Sequence, residues 1–187
     1  MKNKSLLLCN NLFFMNTKTK YSQIWVETVV YTLIGLSILG MIIAVITPKI
    51  NQMIDKTTLT HSLESLNSIN EQIMDTMTSA GQQREIILNA KKGEYVINGL
   101  DDTFYFILKN SNYKYSQPGI IFPQGDIEVL TSNKTAGKYD VVFLLNYSSF
   151  NLTFYNEDGV KQLTSSPVEY NLLIQNKGNK QLNFEIR

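Results

Sequence analysis

The sequence predicts an α+β chain: a long N-terminal helix, membrane-spanning in its first half and amphipathic in its second, followed by an antiparallel β-sandwich-like head. Three observations predict it. Residues 28–46 carry no charge. Apolar residues then recur at gaps of three and four as far as Met77. From Gln82 onward the apolar runs become short, β-branched or aromatic, and Gly, Pro, Asn and Asp punctuate them.

The uncharged run fixes the first element. At about 1.5 Å per residue it spans roughly 28 Å, close to one hydrocarbon core. A buried core helix is the competing reading, and a run this long with no polar face argues against it. Gly35, Ser37 and Gly40 lie inside it and are small enough for helices to approach closely in lipid. Lys2, Lys4, Lys18 and Lys20 precede the run, whereas Lys49 and Lys56 follow it with Asp55 between them. That bias predicts a cytoplasmic N-terminus and a C-terminal head outside.

Pro48 predicts a kink or a short break just past the run, because it removes one helical hydrogen bond and disfavours α geometry at Thr47. Helical spacing resumes with Ile50, Met53, Ile54, Leu59, Leu63, Leu66, Ile69, Ile73 and Met77. The stop is expected around Ser79-Ala80-Gly81. In the head, Glu85–Ala90 and Glu94–Leu100 flank Lys91-Lys92-Gly93 and read as a hairpin. Further strands are expected at Thr103–Leu108, Ile120–Phe122, Asp126–Leu130 and Tyr139–Leu145. Asn151–Tyr155 and Val160–Leu163 flank a turn signal ending in Asp158-Gly159. Glu169–Gln175 and Gln181–Ile186 flank Asn176–Asn179, a second hairpin. Three parts result: a leader over 1–22, a helix over 23–80 with its span at about 28–46, and a β-rich head over 81–187.

Composition excludes several classes. Seventeen basic and sixteen acidic residues give a net charge of +1, so no basic field points to nucleic acid. Cys9 is the single cysteine and His61 the single histidine, which leaves no intrachain disulfide and no thiolate metal cluster. His61 reads as a solvated helix-face residue. Asp101-Asp102 and Glu157-Asp158 are the candidate acid–base or calcium pairs, but both fall in turns, where Asp is favoured for backbone reasons. No phosphate loop, EF-hand or nucleophile elbow appears. The expectation is no enzyme, no cofactor and no metal.

The leader contains Leu6–Leu8 and Leu12–Phe14, interrupted by Asn10 and Asn11, and no small-x-small cleavage site follows them. Met15 offers an alternative translation start that leaves the leader Met15–Ser22. Next comes Gln23-Ile24-Trp25-Val26-Glu27, a carboxylate at the edge of the apolar run. A charge at a helix centre costs roughly 2.5–3.5 kcal/mol on insertion scales and less near an end, so Glu27 can also simply snorkel.

The segment resembles the class III signal peptide of archaeal type IV pilins and archaellins. Ser22 matches the small residue at −1, Gln23 the glutamine at +1 and Glu27 the glutamate at +5. Tyr21 stands where the family is basic, Trp25 where serine is common at +3, and Tyr31 where leucine is common at +9. Gly81-Gln82-Gln83-Arg84, with Ile86, Leu88 and Lys91-Lys92-Gly93, also resembles the helix-to-head junction of such proteins. The resemblance implies a prepilin peptidase that cuts between Ser22 and Gln23 on the cytoplasmic side. It implies that the apolar helix is kept and packs with identical or related subunits in a filament. It further implies that Glu27 meets the new α-amine of a neighbour and fixes axial register, because an unpaired buried charge is costly. Before assembly the partner would be membrane lipid.

Two other readings stay open. A minor pilin or pseudopilin would share the anchor. A membrane-tethered module that does not polymerise would bind a ligand through head aromatics such as Tyr113, Tyr115, Phe122, Tyr147, Phe150, Phe154 and Tyr155. Sequons at Asn133, Asn146 and Asn151 cluster on the head and fit N-glycosylation of an exported surface.

Overall fold

In a computed structural model, the backbone is described for residues 5–187 and the side chains for 24–187, position 136 excepted. One helix, α1 (Ser5–Met77), precedes ten strands. These are β1 (Gln83–Leu88), β2 (Glu94–Asn98), β3 (Thr103–Ser111), β4 (Ile121–Gln124), β5 (Ile127–Asn133), β6 (Tyr139–Asn146), β7 (Asn151–Phe154), β8 (Val160–Leu163), β9 (Tyr170–Gly178) and β10 (Gln181–Ile186). The chain forms two compact units, Met1–Lys49 and Ile50–Arg187. The second contains the last part of α1 together with every strand.

The α+β class predicted from sequence is what forms. Pro48 does not break α1, which is helical on both sides of it. The preceding residue helps to hold the turn: Thr47 Oγ1 donates to Ile43 O at 2.8 Å. The helix ends at Met77, and Gly81 takes the positive φ of +86° that stops it. Asn176 on β9 captures that end. Its Nδ2 donates to Thr76 O and Ser79 O, each at 3.1 Å, while its backbone carbonyl accepts Gly81 N–H at 2.8 Å. Carbonyls left open at a helix terminus are satisfied in this way by the head.

The strands form a four-stranded sheet ordered β1-β9-β10-β7 and a six-stranded sheet ordered β4-β5-β6-β3-β2-β8. Every ladder is antiparallel except β7 on β10, which is parallel. Leu59, Leu63, Leu66, Ile69 and Ile73 make the buried stripe of α1. They share one core with Phe104, Phe106, Val129, Phe143 and Leu145 of the larger sheet and Leu172, Ile174, Leu182 and Phe184 of the smaller. Each such side chain contributes roughly 1.5–3 kcal/mol on burial. The stripe therefore makes the second part of α1 integral to the head's core.

Two local expectations change. The predicted hairpin across Lys91-Lys92-Gly93 does not form, because β1 pairs with β9 and β2 pairs with β3 and β8. The chain crosses there from one sheet to the other, and a turn signal cannot by itself name a strand's partner. Likewise β7 and β8 flank the Asp158-Gly159 turn but enter different sheets, and the isolated bridge Phe154–Glu157 closes the turn at the end of β7. Gly99 seals this crossing. Its N–H donates to Gly159 O at 2.8 Å, and a Cβ placed on it would lie 2.4 Å from Leu152 O. The β9–β10 hairpin does form. Its tip is Asn179-Lys180, both at positive φ, as a two-residue primed turn requires. Pro123 sits within β4, an edge strand, where its missing N–H leaves no ladder bond unmade.

Candidate functional site

The feature with functional content in the first unit is the surface of α1 itself. From Ile24 to Ile46 its large apolar side chains are all exposed, among them Trp25, Tyr31, Leu36, Met41 and Val45. The most apolar window of this helix has none of its residues buried, and the helix is long and apolar enough to cross a membrane. So continuous an apolar surface is out of place in water and fits a single-pass anchor. Its serine and threonine hydroxyls are already satisfied. Thr28 Oγ1 donates to Ile24 O at 2.9 Å, Thr32 Oγ1 to Val29 O at 2.8 Å and Ser37 Oγ to Leu33 O at 2.8 Å. A helix that returns its side-chain donors to its own carbonyls presents few unpaired groups to hydrocarbon.

Glu27 lies exposed on this helix and is the only acid between residues 24 and 54. A Cβ added at Gly35 or Gly40 would meet nothing within 4 Å, so the fold of this chain makes no use of their small size. The predicted cleavage pair, Ser22 and Gln23, lies outside the residues whose side chains are described, as does the rest of the leader.

The head holds the other sequence-derived candidates apart. Asn133, Asn146 and Asn151 are all exposed. Asn146 Oδ1 accepts Ser148 N–H at 2.9 Å within a turn. Thr153, the hydroxyl residue of the third sequon, is buried in β7, and its Oγ1 donates to Leu182 O at 3.3 Å. The second and third sequons thus each include a buried residue, Tyr147 and Thr153, whereas Asn133 and Thr135 of the first are exposed. The aromatics do not assemble into a platform: Tyr147 is in the core, Tyr113, Tyr115, Phe150 and Phe154 pack against it, and Phe122 and Tyr155 are exposed. The Tyr147 hydroxyl donates to Asn70 Oδ1 at 2.8 Å. Burial, with the Asp126 charge nearby, pushes that phenol far above its ordinary range.

In the first acidic turn pair Asp102 Oδ1 accepts backbone Leu152 N–H at 2.8 Å, and Asp101 Oδ2 accepts the side-chain Asn98 Nδ2–H at 2.8 Å. His61 is exposed and lies 3.3 Å from Glu64. Among the described residues no three His, Cys, Asp or Glu side chains gather as a metal would need.

Sequence reasoning missed one cluster. Asp55 is completely buried. Its Oδ1 pairs with Lys92 Nζ, and its Oδ2 accepts both Asn112 N–H and Asn112 Nδ2–H at 2.7 Å. Lys138 Nζ in turn donates to Asn112 Oδ1. Burial raises the Asp55 pKa, but the bonds from Lys92 and Asn112 together outweigh it and hold the carboxyl below its ordinary range. The available signal was periodicity: Asp55 falls four residues before Leu59 and so continues the buried stripe. A groove of about 580 Å³ beside this region is lined by Ile50, Met53, Ile54, Lys91 and Tyr95, among others.

Comparison of the chain with protein-family models, curated proteins and solved structures returned no match. The fold alone defines the class: a β-rich domain that carries a single N-terminal helix able to serve as a membrane anchor.

Proposed function

We propose that this chain is a structural subunit of an archaeal type IV pilus-like surface filament, processed before Gln23 by a prepilin peptidase and assembled through its N-terminal helix. One observation carries the reading: an exposed apolar stretch of helix bears a lone carboxylate, Glu27, near its N-terminal edge, four residues after Gln23 of the Ser22-Gln23 pair. A plain anchor needs no acid there. A polymerising helix gains register from one, because only the correct stagger pairs the charge with a neighbour's new amine. The unused small size of Gly35 and Gly40 suits the close approach of a second helix. The orientation follows from Lys18 and Lys20, which place the leader in the cytoplasm and the head outside.

Intact-mass measurement of the protein recovered from its native membrane tests the processing step. The expected first residue is Gln23, and a mature chain that retains the leader would overturn it. Glu27→Leu tests assembly: the variant should insert into the membrane but yield no filaments by electron microscopy, and normal filaments would refute the register role.

A further inference from the structure

The cluster around Asp55 brings together a primary amine, a carboxamide and a buried carboxylate. Asn112 directly follows β3 and Lys138 directly precedes β6, and the last rung between those strands is Ser111 with Tyr139. The two side chains therefore meet one step beyond the end of the ladder. Both segments are held. Tyr113 and Tyr139 pack against the core, Lys134 N–H donates to Lys138 O at 2.8 Å, and Lys134 Nζ pairs with Asp140 at 3.2 Å. Lys138 Nζ rests on Asn112 Oδ1, while Asp55 Oδ2 grips Asn112 through both its N–H and its Nδ2–H. Lys92 fixes the other oxygen of Asp55. A simple helix-to-sheet lock would need only Asp55, Lys92 and the Asn112 backbone. It would not need a second lysine on the carbonyl side of the same amide.

We infer that Lys138 and Asn112 form an intramolecular isopeptide bond, promoted by Asp55. The free amine of Lys138 adds to Asn112 Cγ. The Nζ–Cγ bond forms and the Cγ–Nδ2 bond breaks. The proton lost from Nζ passes to the departing nitrogen, which leaves as ammonia, while Asp55 Oδ2, already bonded to Nδ2–H, holds that nitrogen in place. No oxidant, metal or co-reactant enters, so the atoms and electrons balance within the chain. Fixed placement of amine, amide and carboxylate supplies the effective concentration that makes an otherwise sluggish transamidation feasible. The bond would close residues 112–138 into a covalent loop holding the β4–β5 hairpin, the edge of the larger sheet. It is independent of the filament reading, since the bond joins two residues of the head and uses no residue before Asp55.

Intact-mass analysis and peptide mapping of the full chain in detergent test it. The expected result is a mass one ammonia below that of the sequence, with a cross-linked peptide pair containing Asn112 and Lys138. Cyclisation of an N-terminal glutamine loses the same ammonia, so the mapped pair decides. Lys138→Arg keeps a donor beside Asn112 Oδ1 and should fold, yet give no cross-linked pair. Asp55→Asn should likewise give none. Separate, unmodified Asn112 and Lys138 peptides, persisting after incubation at about pH 10 where lysine amines become free, would overturn the proposal. Loss of water in place of ammonia would overturn it too, since it would place the bond between Lys92 and Asp55.

Discussion

In a chain without the Asn112–Lys138 bond, as in the Lys138→Arg background, replacing Asp55 by alanine removes one carboxylate and strands three donors at once: Lys92 Nζ, Asn112 N–H and Asn112 Nδ2–H. Lys92 is 43% exposed and can turn back to water, so its loss is softened. The Asn112 groups are half-buried and cannot all be rehydrated without opening the loop after β3. Leaving a buried donor unsatisfied costs about 1–3 kcal/mol, and breaking a buried ion pair from one side about 3–5 kcal/mol. With the lysine's escape discounted, Asp55→Ala should lose about 3 kcal/mol. Urea unfolding of the full chain in detergent, followed by tyrosine fluorescence, measures it. A loss below about 0.5 kcal/mol, the level of an ordinary surface substitution, would refute the claim that this carboxylate ties the helix to the head. The pH dependence has a definite sign. Asp55 is more acidic folded than unfolded, so its contribution is complete above the unfolded value of about 3.9. It is lost as pH falls through the lower folded value, and the Ala variant should lack that part of the acid transition.

Two further substitutions probe the head. Gly99→Ala drives a methyl to 2.4 Å from Leu152 O, which must move the β7 backbone; a destabilisation of about 1–3 kcal/mol is expected by thermal unfolding, whereas Gly35→Ala, with open space around it, should leave head stability unchanged. Asn176→Ala removes the two bonds to Thr76 O and Ser79 O and the one from Gly178 N–H, and should cost about 1–3 kcal/mol, with faster amide exchange in the last turn of α1 and at Gly178.

Most elements were legible because periodicity reports which face is buried. The stripe from Leu59 to Ile73 appears at its predicted spacing, and β3, β5 and β6 alternate as their sequences do. Partner choice was not legible. Strands β1 and β2 look like neighbours across Lys91-Lys92-Gly93, yet the core is closed only when each joins a different sheet. The turn signal Asn176–Asn179 lies slightly before the actual tip at Asn179-Lys180, because both turn positions accept several polar residues at positive φ. Asp55 hid for a related reason: a charged residue between two lysines reads as surface until the fold supplies Asn112 from 57 positions away.

The sequence by itself determined the uncharged helix, the Ser22-Gln23 and Glu27 arrangement ahead of it, and the change of period where the strands begin. These depend on local spacing and on hydrocarbon thickness, both properties of a linear chain. Only the tertiary structure decided which strands share a sheet, how Asn176 caps α1, and that Asp55, Lys92, Asn112 and Lys138 converge. Such choices turn on which remote groups can satisfy one another once water is excluded, and no local pattern encodes that.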